Sequence, residues 1–359
     1  MTGLERWHLD KSLFYALLIV AGLSLLVLYS ASAQNLEVVA RHLLRLILGF
    51  SIMLAVAQVR PETLMRWSPP IFILGLSLLI AVLMMGSVYK GAQRWLNLGL
   101  ISFQPSEIMK LGVPMMLAWY FSRRPLPPKL HHVIIGGVII LVPALLIAKQ
   151  PDLGTAFLVL AAGLCMMFLA GMGWRTILVL LATVGAVIPL LWGHFHDYQR
   201  QRILTLFNPE SDPLGTGYHI IQAKIAVGSG GFFGKGWLNG TQAHLDFLPE
   251  SATDFIFAVF AEEFGLIGIL LLLGIYLFVA LRGLTIAFYA QDSYVRLLAG
   301  GIGLIFFLYF FVNIGMVIGV LPVVGIPLPL ISYGGTSIVT LMTAFGMLMS
   351  IQTHRKLML

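Results

Sequence analysis

The sequence predicts an all-α polytopic membrane protein with about ten transmembrane helices, both termini cytoplasmic, and one long extracytoplasmic loop between helices 7 and 8. Three observations predict it. Hydrophobic residues make up 59% of the 359 positions and charged residues 10%, which leaves too little polar surface for a water-soluble domain. Apolar runs near or above the ~20 residues that cross a bilayer recur along the chain, which selects helices over the weakly alternating strands of a barrel. Lys and Arg divide twelve to six between alternate connections once the long segment 193–253 is set aside, and such charge in short loops stays cytoplasmic. The whole chain, 1–359, reads as one transmembrane domain carrying the 194–253 loop.

Helix 1 is expected at 12–33. It ends in an A-x-A-like site at Ala31 to Ala33, but its apolar core exceeds the ~7–15 residues of a cleaved signal, so it is read as an uncleaved anchor. Helices 2 and 3 follow at 43–59 and 69–88, with Arg60 and Arg66 between them on the cytoplasmic side. Helix 4, at 106–122, is entered by SFQPSEIMK, where Pro105 suits the first helical position and Glu107 the first turn. Arg123, Arg124 and Lys129 separate it from helix 5, at 132–148. Helices 6 and 7 are expected at 155–172 and 175–193, helix 8 at 254–282, helix 9 at 296–320 and helix 10 at 334–352. The lone Cys165 lies mid-helix, where it has no internal disulfide partner and serves packing. The net charge of +7 follows from the topogenic bias and carries no nucleic-acid signal.

The odd polar sequences stand at four helix entrances: SFQPSEIMK before helix 4, KQPDLGT before helix 6, LPESATD before helix 8 and PLPLISYGGTS before helix 10. All four are N-termini on the extracytoplasmic side, where free N–H groups and positive dipole ends favour an anion. Lys110 lies one turn below Glu107, and Lys149 precedes Gln150 and Asp152, so cations join these entrances. Candidate contacts to a substrate or a pyrophosphate are Arg94, Trp95, Gln104, Glu107, Lys110, Gln150, Asp152, Ser332 and Thr336.

Four of the 15 acidic residues (Glu250, Asp254, Glu262 and Glu263) crowd into FLPESATDFIFAVFAEEFG. Asp254 stands at the helix mouth above Ala258, Ala261 and Gly265, a small-residue stripe expected to admit a helix or an acyl chain. At 100° per residue, Glu262 lies ~80° from that face and Glu263 nearly opposite. Asp254 is therefore read as the chemical group and the two glutamates as structural. In the long loop, GYHIIQAKIAVGSGGFFGKGWLNG fails as a P-loop, because Ser229 and Gly236 stand where Gly and Ser or Thr are required. Tyr218, Ile221 and Ile225 form one apolar stripe of an amphipathic helix. Arg202, Lys224 and Lys235 are open between phosphate contacts and solvated charges.

NIGMVIGVLPVVGIPLPLISYGGTS (Asn313 to Ser337), together with QPSE, QPDLGT, the GSGG and GKGWLNGTQ loop and LPExxTDFIFAVxAEExG, resembles the signature set of the SEDS family over nearly the whole chain. The resemblance implies a peptidoglycan glycosyltransferase that polymerises lipid II at the outer face of the bacterial cytoplasmic membrane during elongation. It also implies a class B penicillin-binding protein as partner, polyprenyl-linked glycan as substrate, and Asp254 in the position of the family's essential aspartate. Many relatives carry a basic residue and a His where this chain has Ser251 and Ala252. Asp254 would then take the proton of the attacking sugar hydroxyl. Helix N-termini, Lys and Arg, or a divalent cation such as Mg or Mn would stabilise the leaving pyrophosphate; no cofactor is otherwise called for. A flippase for the same lipid is the rival reading, and it sits less well with polar motifs gathered at one face and no repeated halves.

Overall fold

The structure is a computed structural model describing residues 9–89, 92–97, 102–191, 197–212, 215–244, 247–248 and 250–354. Arg6, Lys90, Arg355 and Lys356, which entered the charge count, and the start of the expected 194–253 loop lie outside them. The helices are α1 (Lys11–Ala31), α2 (Leu36–Ala57), α3 (Pro61–Met85), α4 (Pro105–Ser122), α5 (Leu130–Lys149), α6 (Leu153–Leu169), α7 (Trp174–Leu191), α8 (Asp197–Phe207), α9 (Thr216–Ser229), α10 (Thr241–His244), α11 (Ile256–Phe288), α12 (Ser293–Val317) and α13 (Gly335–Thr353). Among the described residues, seven of these (α1, α2, α3, α5, α11, α12 and α13) are long and apolar enough to cross a membrane by length and composition, and α6 is a shorter apolar helix.

Helix starts follow local chemistry. Asp10 caps α1 through the Leu13 N–H at 3.0 Å, and Asn35 caps α2 through Glu37 and Val38. Pro61 and Pro105 occupy first-turn positions of α3 and α4, where the missing N–H costs nothing. Pro61 therefore starts α3 eight residues before the expected 69, and Pro69 and Pro70 are carried inside the helix. The chain then leaves α3 at Gly86 for an antiparallel three-stranded sheet, β1 (Ser87–Tyr89), β2 (Ala92–Asn97) and β3 (Ser102–Phe103), in the order β1-β2-β3. An all-α expectation missed this element, whose strands are too short to register as a period.

The core centres on α12, whose apolar window is 72% buried against 22% for α2 and α3. It packs on α11 through a pair of glycines: a Cβ on Gly283 would stand 2.9 Å from the Gly303 Cα, so the two backbones meet directly. α11 is broken at Gly265, where φ is +63° and ψ −164°. The break takes Glu262, Glu263, Leu266 and Ile267 out of the regular ladder, and the loop after α9 answers them: Lys235 and Gly236 donate to the carbonyls of Glu262 and Glu263, while Leu266 and Ile267 donate to those of Gly231 and Phe232, all at 2.9–3.1 Å.

Candidate active site

The turn before α11 carries Asp254. The helix begins at Ile256 with Phe255 as its cap, two residues after the expected start at 254, so Asp254 stands in the turn at its mouth. Three successive carbonyls of this turn are each bonded from the 313–333 region. The Tyr333 N–H donates to Ala252 at 2.9 Å, the Ser332 hydroxyl to Thr253 at 2.6 Å, and the Asn313 amide to Asp254 at 3.0 Å. Asn313 is fully buried and also donates to Ile326 at 2.7 Å, tying the turn to the loop between α12 and α13. The half-buried Asp254 carboxylate lies against Gly325, where a Cβ would stand 3.5 Å from Oδ2. Gly325 has φ +72°, a left-handed backbone conformation that favours glycine.

The α6 entrance meets the same loop, since a Cβ on Gly154 would overlap the Val324 carbonyl. Asp152 caps α6 through the Thr155 N–H at 3.3 Å and accepts from Gln104 Nε2 at 2.9 Å. Arg94, on β2, donates to the carbonyls of Gln150 and Pro151 and lies 3.9 Å from the Asp152 carboxylate. Gln150 is buried, its amide donating to Leu79 at 3.0 Å. Arg94, Gln104, Gln150 and Asp152 thus form one corner. Trp95 pairs opposite Ser87 in the neighbouring ladder.

Below this corner Lys110 Nζ bonds Glu107 Oε1 at 2.6 Å, with both side chains almost wholly buried and the ammonium 5.3 Å from the centre of the Tyr309 ring. Glu107 Oε2 is buried without a protein hydrogen bond among the described residues. Glu107 also lines a groove of about 680 Å³ walled by α2, α3, α4 and α13, together with Arg45, Thr336, Thr340 and apolar side chains such as Leu48, Ile71 and Leu74. At its rim the Arg45 guanidinium lies 4.3 Å from the centre of the Tyr333 ring, which stacks on buried His42. Tyr333 therefore meets the groove residue Arg45 by its ring and the Asp254 turn by its amide.

A model of the FtsW, RodA and SpoVE family, described as cell cycle protein, matches residues 9–357. The chain belongs to this family. It is 53% identical over 355 residues to the peptidoglycan glycosyltransferase MrdB of Escherichia coli (strain K12), covering 99% of this chain and 96% of that one. It is 33% identical to the peptidoglycan glycosyltransferase RodA of Treponema pallidum (strain Nichols), over 96% and 98% of the two chains. A chain from a study of polymerization and crosslinking by a peptidoglycan synthase complex superposes with a TM-score of 0.85 at 29% identity, over 97% of this chain and 99% of that one. The crystal structure of the Thermus thermophilus rod shape determining protein RodA superposes with a TM-score of 0.74 at 26% identity, over 97% and 98%.

Within this family framework several expected substrate contacts have other employment. Ser332 is 2% exposed, and its hydroxyl both donates to Thr253 and accepts from Leu328 at 2.7 Å, which leaves it committed to backbone. Lys235 is paired with Glu262 at 2.6 Å and donates to Thr241 at 2.9 Å. Glu262 is fully buried and also accepts from the Thr241 and Gln242 N–H groups at 2.9 and 3.1 Å. Glu263 accepts from Ser30 and from the Leu238 N–H. Both glutamates thereby hold the 229–242 loop. The stripe below Asp254 is occupied by protein and not by an open acyl groove: Ala258 and Ala261 are buried, and the backbone at Gly230 and Gly234 approaches Ala261 and Glu263 too closely for any added Cβ. Thr336 keeps its place on the groove wall, Arg202 is half-buried on α8, and Lys224 is exposed on α9 beside Gly319.

Sequence reasoning missed Asn313, Tyr333, Arg45 and His219. Asn313 is the one amide in the apolar run FFLYFFVNIGMV, and Arg45 follows Arg41 by one turn on α2, so both left a trace. His219 on α9 stacks on Phe255, with ring centres 5.8 Å apart. Burial lowers its pKa, and Glu250 and Asp212 only partly offset this. Among the described residues no three His, Cys, Asp or Glu side chains gather into a metal site.

Proposed function

We propose that this family member, a peptidoglycan glycosyltransferase like its curated relatives, polymerises lipid II into glycan strands with Asp254 as general base. The observation that carries the reading is the Asp254 turn, whose carbonyls at 252, 253 and 254 are all held by the bundle while the carboxylate lies against the side-chain-free Gly325. Such pre-organisation suits a group that must meet one hydroxyl proton in one geometry. The 4-hydroxyl of the acceptor sugar attacks the anomeric carbon of the donor, a new glycosidic C–O bond forms, the C–O bond to polyprenyl pyrophosphate breaks, and the hydroxyl proton passes to Asp254. The groove of α2, α3, α4 and α13 accepts the polyprenyl tail, and Arg45 at its rim offers the donor fork for a phosphate. The site faces outward from the cytoplasmic membrane, and a class B penicillin-binding protein crosslinks the strands during elongation.

Purified protein given lipid II tests this directly. Wild type makes glycan chains, and Asp254→Asn, similar in size but unable to accept the proton, loses ~10²–10⁴ in rate while melting normally. Near-normal synthesis by Asp254→Asn ends the base assignment, and lipid scrambling without chain formation by wild type would establish the flippase instead.

A further inference from the structure

The loop that fills the break in α11 carries its own apolar surface. Phe232 is 69% exposed, Phe233 82% and Trp237 42%, within eight residues of a chain that is otherwise tied down. The depth of this tip can be read against α1. That helix has 21 residues, about 31 Å at 1.5 Å per residue, close to the ~30 Å hydrocarbon thickness of a bilayer. Arg282 of α11 pairs with Asp10 at one end of α1, and Glu263 of α11 bonds Ser30 at the other, so the two helices run side by side over this length. The Trp237 indole N–H donates to the Leu26 carbonyl at 3.1 Å. Leu26 is five residues short of the end of α1, hence about 7 Å below it. The Phe232 carbonyl accepts from Ile267, which follows Glu263 by four residues across the Gly265 break, so α11 places the tip on the same side of that end.

The position of Leu26 on α1 therefore sets the tip inside the span of that helix, on the side where Asp254 lies, and the Ile267 contact agrees in direction. Non-helical backbone is tolerated at such depth where it is seated against protein, and four main-chain bonds to α11, with the Gly234 N–H bonded to the Gly230 carbonyl, seat this loop on the helix. The one cation here, Lys235, is neutralised by Glu262. Leu26, Leu266 and Ile267, whose main chains bond the loop, carry exposed apolar side chains, as does Leu270 on α11. Trp favours the boundary between headgroups and acyl chains, and Phe is apolar enough to enter the acyl region. We propose that residues 230–237 form a re-entrant anchor whose Phe232, Phe233 and Trp237 are immersed in the lipid leaflet on the Asp254 side. The anchor sets the depth at which the loop leading to Asp254 leaves the membrane, and it holds whether or not Asp254 is the base.

Single nitroxide labels on the full-length protein in phosphatidylethanolamine and phosphatidylglycerol vesicles test this. Phe232→Cys and Phe233→Cys would each be made in a Cys165→Ala background, with Leu270→Cys as the bilayer reference and Glu210→Cys as the aqueous one. Collision rates with oxygen and with a water-soluble nickel chelate are then compared. The anchor requires an oxygen-to-nickel ratio at 232 and 233 well above that at 210 and approaching that at 270. A ratio matching 210 overturns it in favour of a water-exposed surface, and shielding from both reagents overturns it in favour of a covering protein, such as a second copy of the chain. Both sites are largely exposed, and the second label guards against a local fault in the first.

Discussion

α11 is interrupted twice, before its start at Asp254 and within it at Gly265, and the two interruptions are stabilised by different means. The Asp254 turn is held mainly from a distance by buried side chains, Asn313 and Ser332, reaching its carbonyls across 59 and 79 residues of sequence. The Gly265 break is held by four main-chain bonds with a glycine-rich loop whose Gly231 and Gly234 also take positive φ, and the Glu262 and Glu263 carboxylates brace the same loop. The contrast teaches where each is vulnerable. A side-chain clamp fails by loss of a donor and leaves the backbone free to relax; a main-chain clamp fails only when something is added that forces the backbones apart.

Asn313→Leu is the strongest way to break the first clamp. It leaves the carbonyls of Asp254 and Ile326 without their donor, at ~1–3 kcal/mol for each buried group and so ~2–6 kcal/mol together. Polymerisation should fall further than the folded fraction measured by melting on the same preparation; activity that merely tracks folding would make Asn313 a packing residue. Next in size is a control outside both regions. Removing one member of the buried Glu107 and Lys110 pair, as in Lys110→Met, strands the other at ~3–5 kcal/mol, whereas neutralising both is milder for folding. A double variant that is folded but inactive assigns the pair to substrate, and restored polymerisation assigns it to structure alone. Gly234→Ala attacks the main-chain clamp: its φ of +78° and the Glu263 carbonyl against it leave no room for a methyl, at ~1–3 kcal/mol. Thermal unfolding should register the cost while rate per folded molecule stays near wild type, the reverse of Asn313→Leu. Ser332→Ala removes the partner of the Thr253 carbonyl and of the Leu328 N–H, at ~1–3 kcal/mol for each group left buried, while the neighbouring clamps remain. A larger rate loss for Ser332→Ala than for Asn313→Leu would invert the ranking of the two donors.

Much of the bundle was legible because apolar length is a strong, local signal, and each of the ten apolar stretches falls on a helix. The starts were less so. Pro69 and Pro70 suggest a boundary, but the helix already begins at Pro61, whose position costs no hydrogen bond. The break at Gly265 was illegible, because a glycine in an apolar helix reads equally as close packing. The stripe of Ala258, Ala261 and Gly265 reads as room for a helix or an acyl chain, and a glycine-rich loop, covalently at hand, uses the same room. Asp254 was visible as a carboxylate in a turn-like motif. Its supports were not, because partners dozens of residues away are chosen by tertiary packing, and only the oddity of one amide among aromatics hinted at Asn313.

The glycine contact between α11 and α12 acts as a gauge for this arrangement. Gly303 stands ten residues before Asn313 on one helix, and Gly283 stands on the helix that follows Asp254. With no side chain between them, the two rods have no cushion in which to absorb a misfit. A slip of one residue moves Asn313 by about 1.5 Å along its axis, enough to carry its amide out of hydrogen-bond range of the Asp254 carbonyl. Whether the turn is assembled is thus decided about 15 Å away, by two positions that carry no functional group at all.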